Sequence, residues 1–86
     1  MKDITIVCSR IASPADLHRL FAEALAFPAH YGNNLDALHD MLTTLKGTLR
    51  LENWKTAEAA LGKYGAAATR AIAAAGMENT ELDIMI

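Results

Sequence analysis

Asp3-Ile4-Thr5-Ile6-Val7-Cys8, followed by Ser13-Pro14-Ala15-Asp16, is the stretch on which the fold turns. The first run is β-branched and mostly apolar over a strand's length, the pattern of a strand buried on both faces. Ser13 then supplies an N-cap, Pro14 a first helical residue and Asp16 an acidic capping-box partner. A helix is predicted over about 14–26, with Leu17, Leu20, Phe21, Ala24 and Leu25 on its inner face, and Pro28 stops it. A strand therefore hands over to a capped helix, as in an α/β chain.

Working outward, His30-Tyr31-Gly32-Asn33-Asn34 is a turn-rich loop whose asparagines can cap a second helix, predicted over about 35–46. Leu35, Leu38, Met41, Leu42 and Leu45 fall on one face of that helix, and Asp36, His39, Asp40 and Thr43 on the other. Gly47 closes it, and 48–52 alternates Thr, Leu, Arg, Leu, Glu as a second strand. Residues 55–61 are Ala-rich and helical, 62–65 is a glycine break, and 66–75 resumes as a helix until Gly76 closes it. Leu82, Ile84 and Ile86 alternate in a third strand over 81–86. The order is β-α-α-β-α-α-β, and helices between every pair of strands imply a three-stranded, mainly parallel sheet in one α/β domain spanning 1–86.

The chain has 86 residues, 52% hydrophobic and 21% charged, which suits one modest soluble core. Cys8 is the only cysteine, so no intramolecular disulfide forms and a reducing compartment fits best. The apolar run at the N-terminus is too short for a secretory signal, and no stretch approaches a bilayer span, so cytoplasm is the expectation and a membrane is not. The net charge is only −2, but no Lys or Arg lies between Arg19 and Lys46, a window holding Glu23, Asp36 and Asp40. Phosphate binding needs clustered cations, so this field argues against direct nucleic-acid binding and suits a cationic partner.

Asp36 and Asp40 carry the most information. At i and i+4 on the water-facing side of a helix, two carboxylates repel and cost a few tenths of a kcal/mol. Asp36 has a structural excuse near the helix N-terminus, whereas Asp40, a turn further in, has less. On periodicity alone an ordinary solvated face is the better reading of both, and a function for them needs further support.

The segment from Leu25 to Asp40, LAFPAHYGNNLDALHD, resembles the signature of the barstar family of ribonuclease inhibitors, with its core Tyr-Gly-x-Asn-Leu-Asp-Ala-Leu-x-Asp at Tyr31 to Asp40. Asp16-Leu17-His18 upstream and Leu51-Glu52 with Trp54 downstream also resemble the family in order and spacing. The resemblance implies three parallel strands with helices around them. It further implies a 1:1 complex, without cofactor, in which loop and second helix enter the active site of an extracellular-type or toxin ribonuclease. Asp40 would be the main phosphate mimic, Asp36 would stand beside it, and Gly32 and Asn34 would give backbone and amide contacts. Tyr31 and Thr43 complete the implied partner-binding surface. Its physical basis is that a fixed carboxylate accepts paired hydrogen bonds from the cations that hold a scissile phosphate.

Three positions depart from the family's pattern. His30 stands where the family's best-known member has a tyrosine that packs on the nuclease's catalytic histidine, His39 replaces a tryptophan, and an acidic residue of the last helix falls near Ala71. The departures imply a nuclease related to, but distinct from, the family's best-known target. Other chemistries have less support. No two of His18, His30 and His39 have the i, i+4 spacing of helical metal ligands, and His18 reads as an ordinary helix residue. Cys8 reads as core rather than nucleophile, and Trp54 as a packing or edge residue. No nucleophile, base and oxyanion set assembles, so a hydrolase is disfavoured. The rival class is an acidic interaction module that regulates a basic partner other than a nuclease.

Overall fold

In the computed structural model, which describes residues 3–86, alternate residues of three short strands build one apolar surface. The strands are β1 (Asp3–Val7), β2 (Gly47–Glu52) and β3 (Leu82–Met85), paired in parallel in the order β1-β2-β3. Register places Ile4 beside Leu49 and Leu49 beside Ile84, with Ile6 beside Leu51. Between them run α1 (Pro14–Leu25), α2 (Leu35–Leu42), α3 (Trp54–Leu61) and α4 (Lys63–Glu78). The predicted β-α-α-β-α-α-β order and the parallel α/β sheet are both present.

Only one face of the sheet is covered. Ile6, Leu49, Leu51 and Leu82 are buried, whereas Thr5, Val7, Arg50, Glu52 and Met85 on the opposite face are exposed. This corrects the expectation that the first strand is buried on both sides. Its β-branched Thr5 and Val7 suit extended backbone without being interior. The covered face packs on Leu17, Phe21, Leu38, Leu42 and Ile72, all fully buried. Cys8, one residue past β1, is equally buried, and burial pushes its thiol up to about 11, so it is a core residue and no nucleophile at neutral pH.

The helices differ from their predicted lengths for local reasons. Ser13 caps α1 as expected, its Oγ accepting from the Asp16 amide at 3.2 Å. The return bond goes elsewhere: the Asp16 carboxylate accepts from Ala12 N at 3.0 Å rather than from Ser13. That bond, more than the Arg19 ion pair at 3.1 Å, holds the Asp16 carboxyl below the usual range. Ala26 adopts a left-handed C-cap and ends α1 one residue early.

Helix α2 stops at Leu42, not near Lys46. The hydroxyls of Thr43 and Thr44 donate to Asp40 O and Met41 O, each at 2.7 Å, and Asn79 Nδ2 donates to Leu42 O at 3.0 Å and Leu45 O at 2.7 Å. The last carbonyls are thus taken by side chains instead of by a further helical turn.

Trp54 lies inside α3 and is buried, with its Nε1 donating to Thr69 Oγ1 on α4 at 2.9 Å. The predicted break over 62–65 narrows to Gly62, and neither Gly65 nor Gly76 interrupts α4. No helix among the described residues is long and apolar enough to cross a membrane.

Candidate functional site

The loop between α1 and α2 is shaped by its own amides. Asn34 caps α2, its Oδ1 accepting from Ala37 N at 2.8 Å, while its Nδ2 donates to Gly32 O at 3.2 Å. Both ends of that amide therefore serve the loop first. Asn33 adopts a left-handed φ of 53°, which asparagine tolerates. His30, Gly32 and Asn34 are exposed at this end of the molecule.

Tyr31 is directed inward. Its ring lies 4.8 Å from that of Phe27, and its hydroxyl is 2.7 Å from His18 Nδ1. The other ring nitrogen of His18 is 2.6 Å from the Tyr64 hydroxyl on α4. A neutral imidazole donates from one nitrogen and accepts at the other, so both ends are satisfied whichever tautomer is present. Burial keeps His18 below its ordinary pKa. It also pushes the Tyr31 phenol up to about 12, with Tyr64 adding to the rise. His18, expected to be an ordinary helix residue, is thus the buried pin that ties α1, the loop and α4 together.

The exposed face of α2 carries Asp36, His39, Asp40 and Thr43 as the periodicity predicts, with Asp36 and Asp40 open to water and His39 and Thr43 half-buried. Because α2 ends at Leu42, Asp40 lies in the last helical turn, where the macrodipole disfavours an acid. Its side chain is 81% exposed, so no burial compensates. Asp36, by contrast, sits in the favourable first turn.

His39 is not simply solvated. Its Nε2 is 2.6 Å from Glu78 Oε2, and its Nδ1 is 3.4 Å from Asp40 Oδ1. The hydrogen bond to Glu78, followed by that to Asp40, holds the imidazole above its ordinary pKa. Glu78 is the last residue of α4. It brings a third carboxylate to the face, two helical turns beyond Ala71, which carries no charge. Reading Gly76 as a helix end hid Glu78 in the sequence; with the helix continued, Ala71, Ala75 and Glu78 fall on one stripe.

Away from this face, a cavity of about 550 Å³ is lined by Pro14, Ala15, His18, Arg19 and Asn33. No nucleophile and base meet there. Among the described residues, no group of three or more His, Cys, Asp or Glu side chains could hold a metal ion.

The parallel three-stranded α/β fold thus carries Asp36 and Asp40 on the exposed side of α2, next to an exposed loop. Residues 1–85 match the family described as "Barstar (barnase inhibitor)", and the chain belongs to the barstar family. That description is of inhibitors of a ribonuclease rather than of enzymes.

Proposed function

We propose that this protein is a cytoplasmic ribonuclease inhibitor, an immunity or antitoxin-like single domain that binds a barnase-like nuclease 1:1. The observation that carries the reading is Asp40, a solvent-exposed carboxylate kept in the last turn of α2 against the helix dipole. Asp40 takes the place of a substrate phosphate among the nuclease's cations, Asp36 adds a second carboxylate, and Glu78 extends the negative surface. His30 and His39 offer imidazoles for stacking, while Gly32 and Asn34 contact the nuclease from the loop. Thr43 lies at the margin of the surface. Tyr31 acts from inside by holding the loop. Inhibition is steric and electrostatic: a standard interface of about 800 Å² on each partner excludes RNA.

The experiment is a pull-down from the native host followed by an RNA-degradation assay with the captured nuclease. The purified protein should have no hydrolytic activity of its own and should abolish that of the nuclease. Association should slow as salt rises, because exposed carboxylates act through a field screened over about 8–10 Å. Capture of a basic partner that cleaves no RNA, or an on-rate indifferent to salt, would contradict this reading.

A further inference from the structure

Among the described residues, His39 is the one cation-forming side chain placed between Asp40 and Glu78. The charged groups that face it are Asp40 and, one turn earlier, Asp36 on its own helix, and Glu78 across from α4. Both ring nitrogens are directed at carboxylates, at 2.6 Å and 3.4 Å. A neutral imidazole has only one N–H to give, so this arrangement is fully used only by the imidazolium. Helix geometry adds to the preference, since His39 lies in the last turn of α2 and Glu78 at the C-terminus of α4, both places where a positive charge is favoured. Lys46, four residues past the end of α2, is engaged with Glu81 at 3.1 Å.

An arginine or lysine from a partner needs the same carboxylate oxygens. We propose that the His39 imidazolium is a built-in competitor for the acidic face, occupying Asp40 and Glu78 until a cationic partner displaces it, so that binding expels a proton and weakens in acid. This rests on the reading that the face receives a cationic partner. The balance is simple: the partner's guanidinium or ammonium replaces the imidazolium as counter-charge, His39 becomes neutral, and its proton passes to solvent. A neutral His39 can then stack or move aside without leaving an unpaired charge. The raised pKa of His39 agrees with this pairing. The inhibitor would hold its target most tightly above the raised pKa of His39 and loosen it on acidification, by up to about tenfold per pH unit where one proton is fully linked to binding.

The test uses the full chain and two partners. His39 is titrated by NMR, alone and with an arginine hexapeptide, in the wild type and in Glu78→Gln; His39→Gln assigns the resonance. His39 should titrate above about 6.5 in the free wild type and fall back toward that value in Glu78→Gln. Saturating peptide should also shift its titration downward. With the captured nuclease, inhibition should weaken by about threefold or more from about pH 7.5 to 5.5 in the wild type beyond any change in His39→Gln, which removes the linked proton while leaving the nuclease's own titrations in both series. A His39 titration indifferent to Glu78→Gln or to the peptide overturns the proposal, as do identical pH slopes for the two inhibitors. If the peptide displaces the proton but no ribonuclease is inhibited, the competition stands and only the inhibitory reading falls. Thermal melts of both variants confirm that each is folded at every pH used.

Discussion

At the scale of single residues, the buried His18 and the half-exposed His39 respond to acid in opposite senses. His18 is nearly inaccessible, at 2% exposure, and burial puts its folded pKa below the ordinary 6.5. The unfolded chain therefore takes up the proton first as pH falls. The stability His18 contributes is complete above about 6.5 and is lost progressively below it. His39, raised by Glu78 and Asp40, contributes below about 6.5 and loses that contribution as pH rises through its folded pKa. Because the His39 pairs are open to solvent and screened whereas His18 is buried, thermal melts should show the midpoint falling between about pH 7 and 5, the region where His18 must charge. His18→Gln should melt lower at pH 7, by about 1–3 kcal/mol because a tyrosine hydroxyl loses its partner, yet with a flatter response to acid. Equal acid slopes for variant and wild type would mean that His18 does not control that response. The sequence showed His18 as a helix residue and no more. Its role depends on Tyr31 and Tyr64, 13 and 46 residues away, and no local pattern encodes such pairings.

At the scale of elements, the corner between α3 and α4 depends on two glycines with different duties. Gly62 turns the chain at φ 61° and ψ −127°, a conformation essentially confined to glycine. Gly65 lies within α4, where an added Cβ would stand 2.1 Å from Glu58 O on α3. Gly65→Ala should therefore force the helices apart and cost about 2–3 kcal/mol, lowering the melting midpoint by about 10 °C or more. Gly76→Ala is the comparison, because its Cβ would meet only the end of the Ile84 side chain at 3.3 Å and alanine favours a helix. Similar melting of the two variants would refute the close crossing at Gly65. This pair also explains why element boundaries were less legible than element order. Sequence treats a glycine as a stop, whereas packing decides whether it is a stop or a contact. Likewise Leu45 and Lys46 satisfy helical periodicity, but Asn79, far along the chain, takes the carbonyls at the end of α2. Alternation, in contrast, made β2 plain, since Leu49 and Leu51 face the core and Arg50 and Glu52 face water.

At the scale of the whole molecule, Asp40 and Glu78 from two helices meet at His39, and Asp36 lies one turn earlier on α2, next to the loop that His18 holds through Tyr31. Asp36 and Asp40 were legible because helical periodicity alone decides which residues face water. Glu78 was not, since it reaches His39 across 39 residues of chain and from beyond a glycine that had marked the helix end. The loop's Asn34 cap was legible, but the inward turn of Tyr31 was not, because a tyrosine in a turn-rich segment fits either side. Folding and binding should separate at Asp40. Its carboxylate supports little of the structure, and its position in the last turn of α2 is unfavourable. Asp40→Ala should therefore change stability by no more than about 0.5 kcal/mol. If Asp40 replaces a substrate phosphate, the same change should weaken inhibition by well over about tenfold, as the nuclease's cations lose their partner. Thr43→Ala, three residues on at the end of the same helix, removes a hydroxyl bonded to Asp40 O at 2.7 Å but no charge. The decisive measurement is the inhibition constant of both variants against the captured nuclease, alongside their melts: a large loss for Asp40→Ala with its stability intact, and little loss for Thr43→Ala, is the expected result, whereas equal small losses would leave Asp40 an ordinary surface charge and contradict the account.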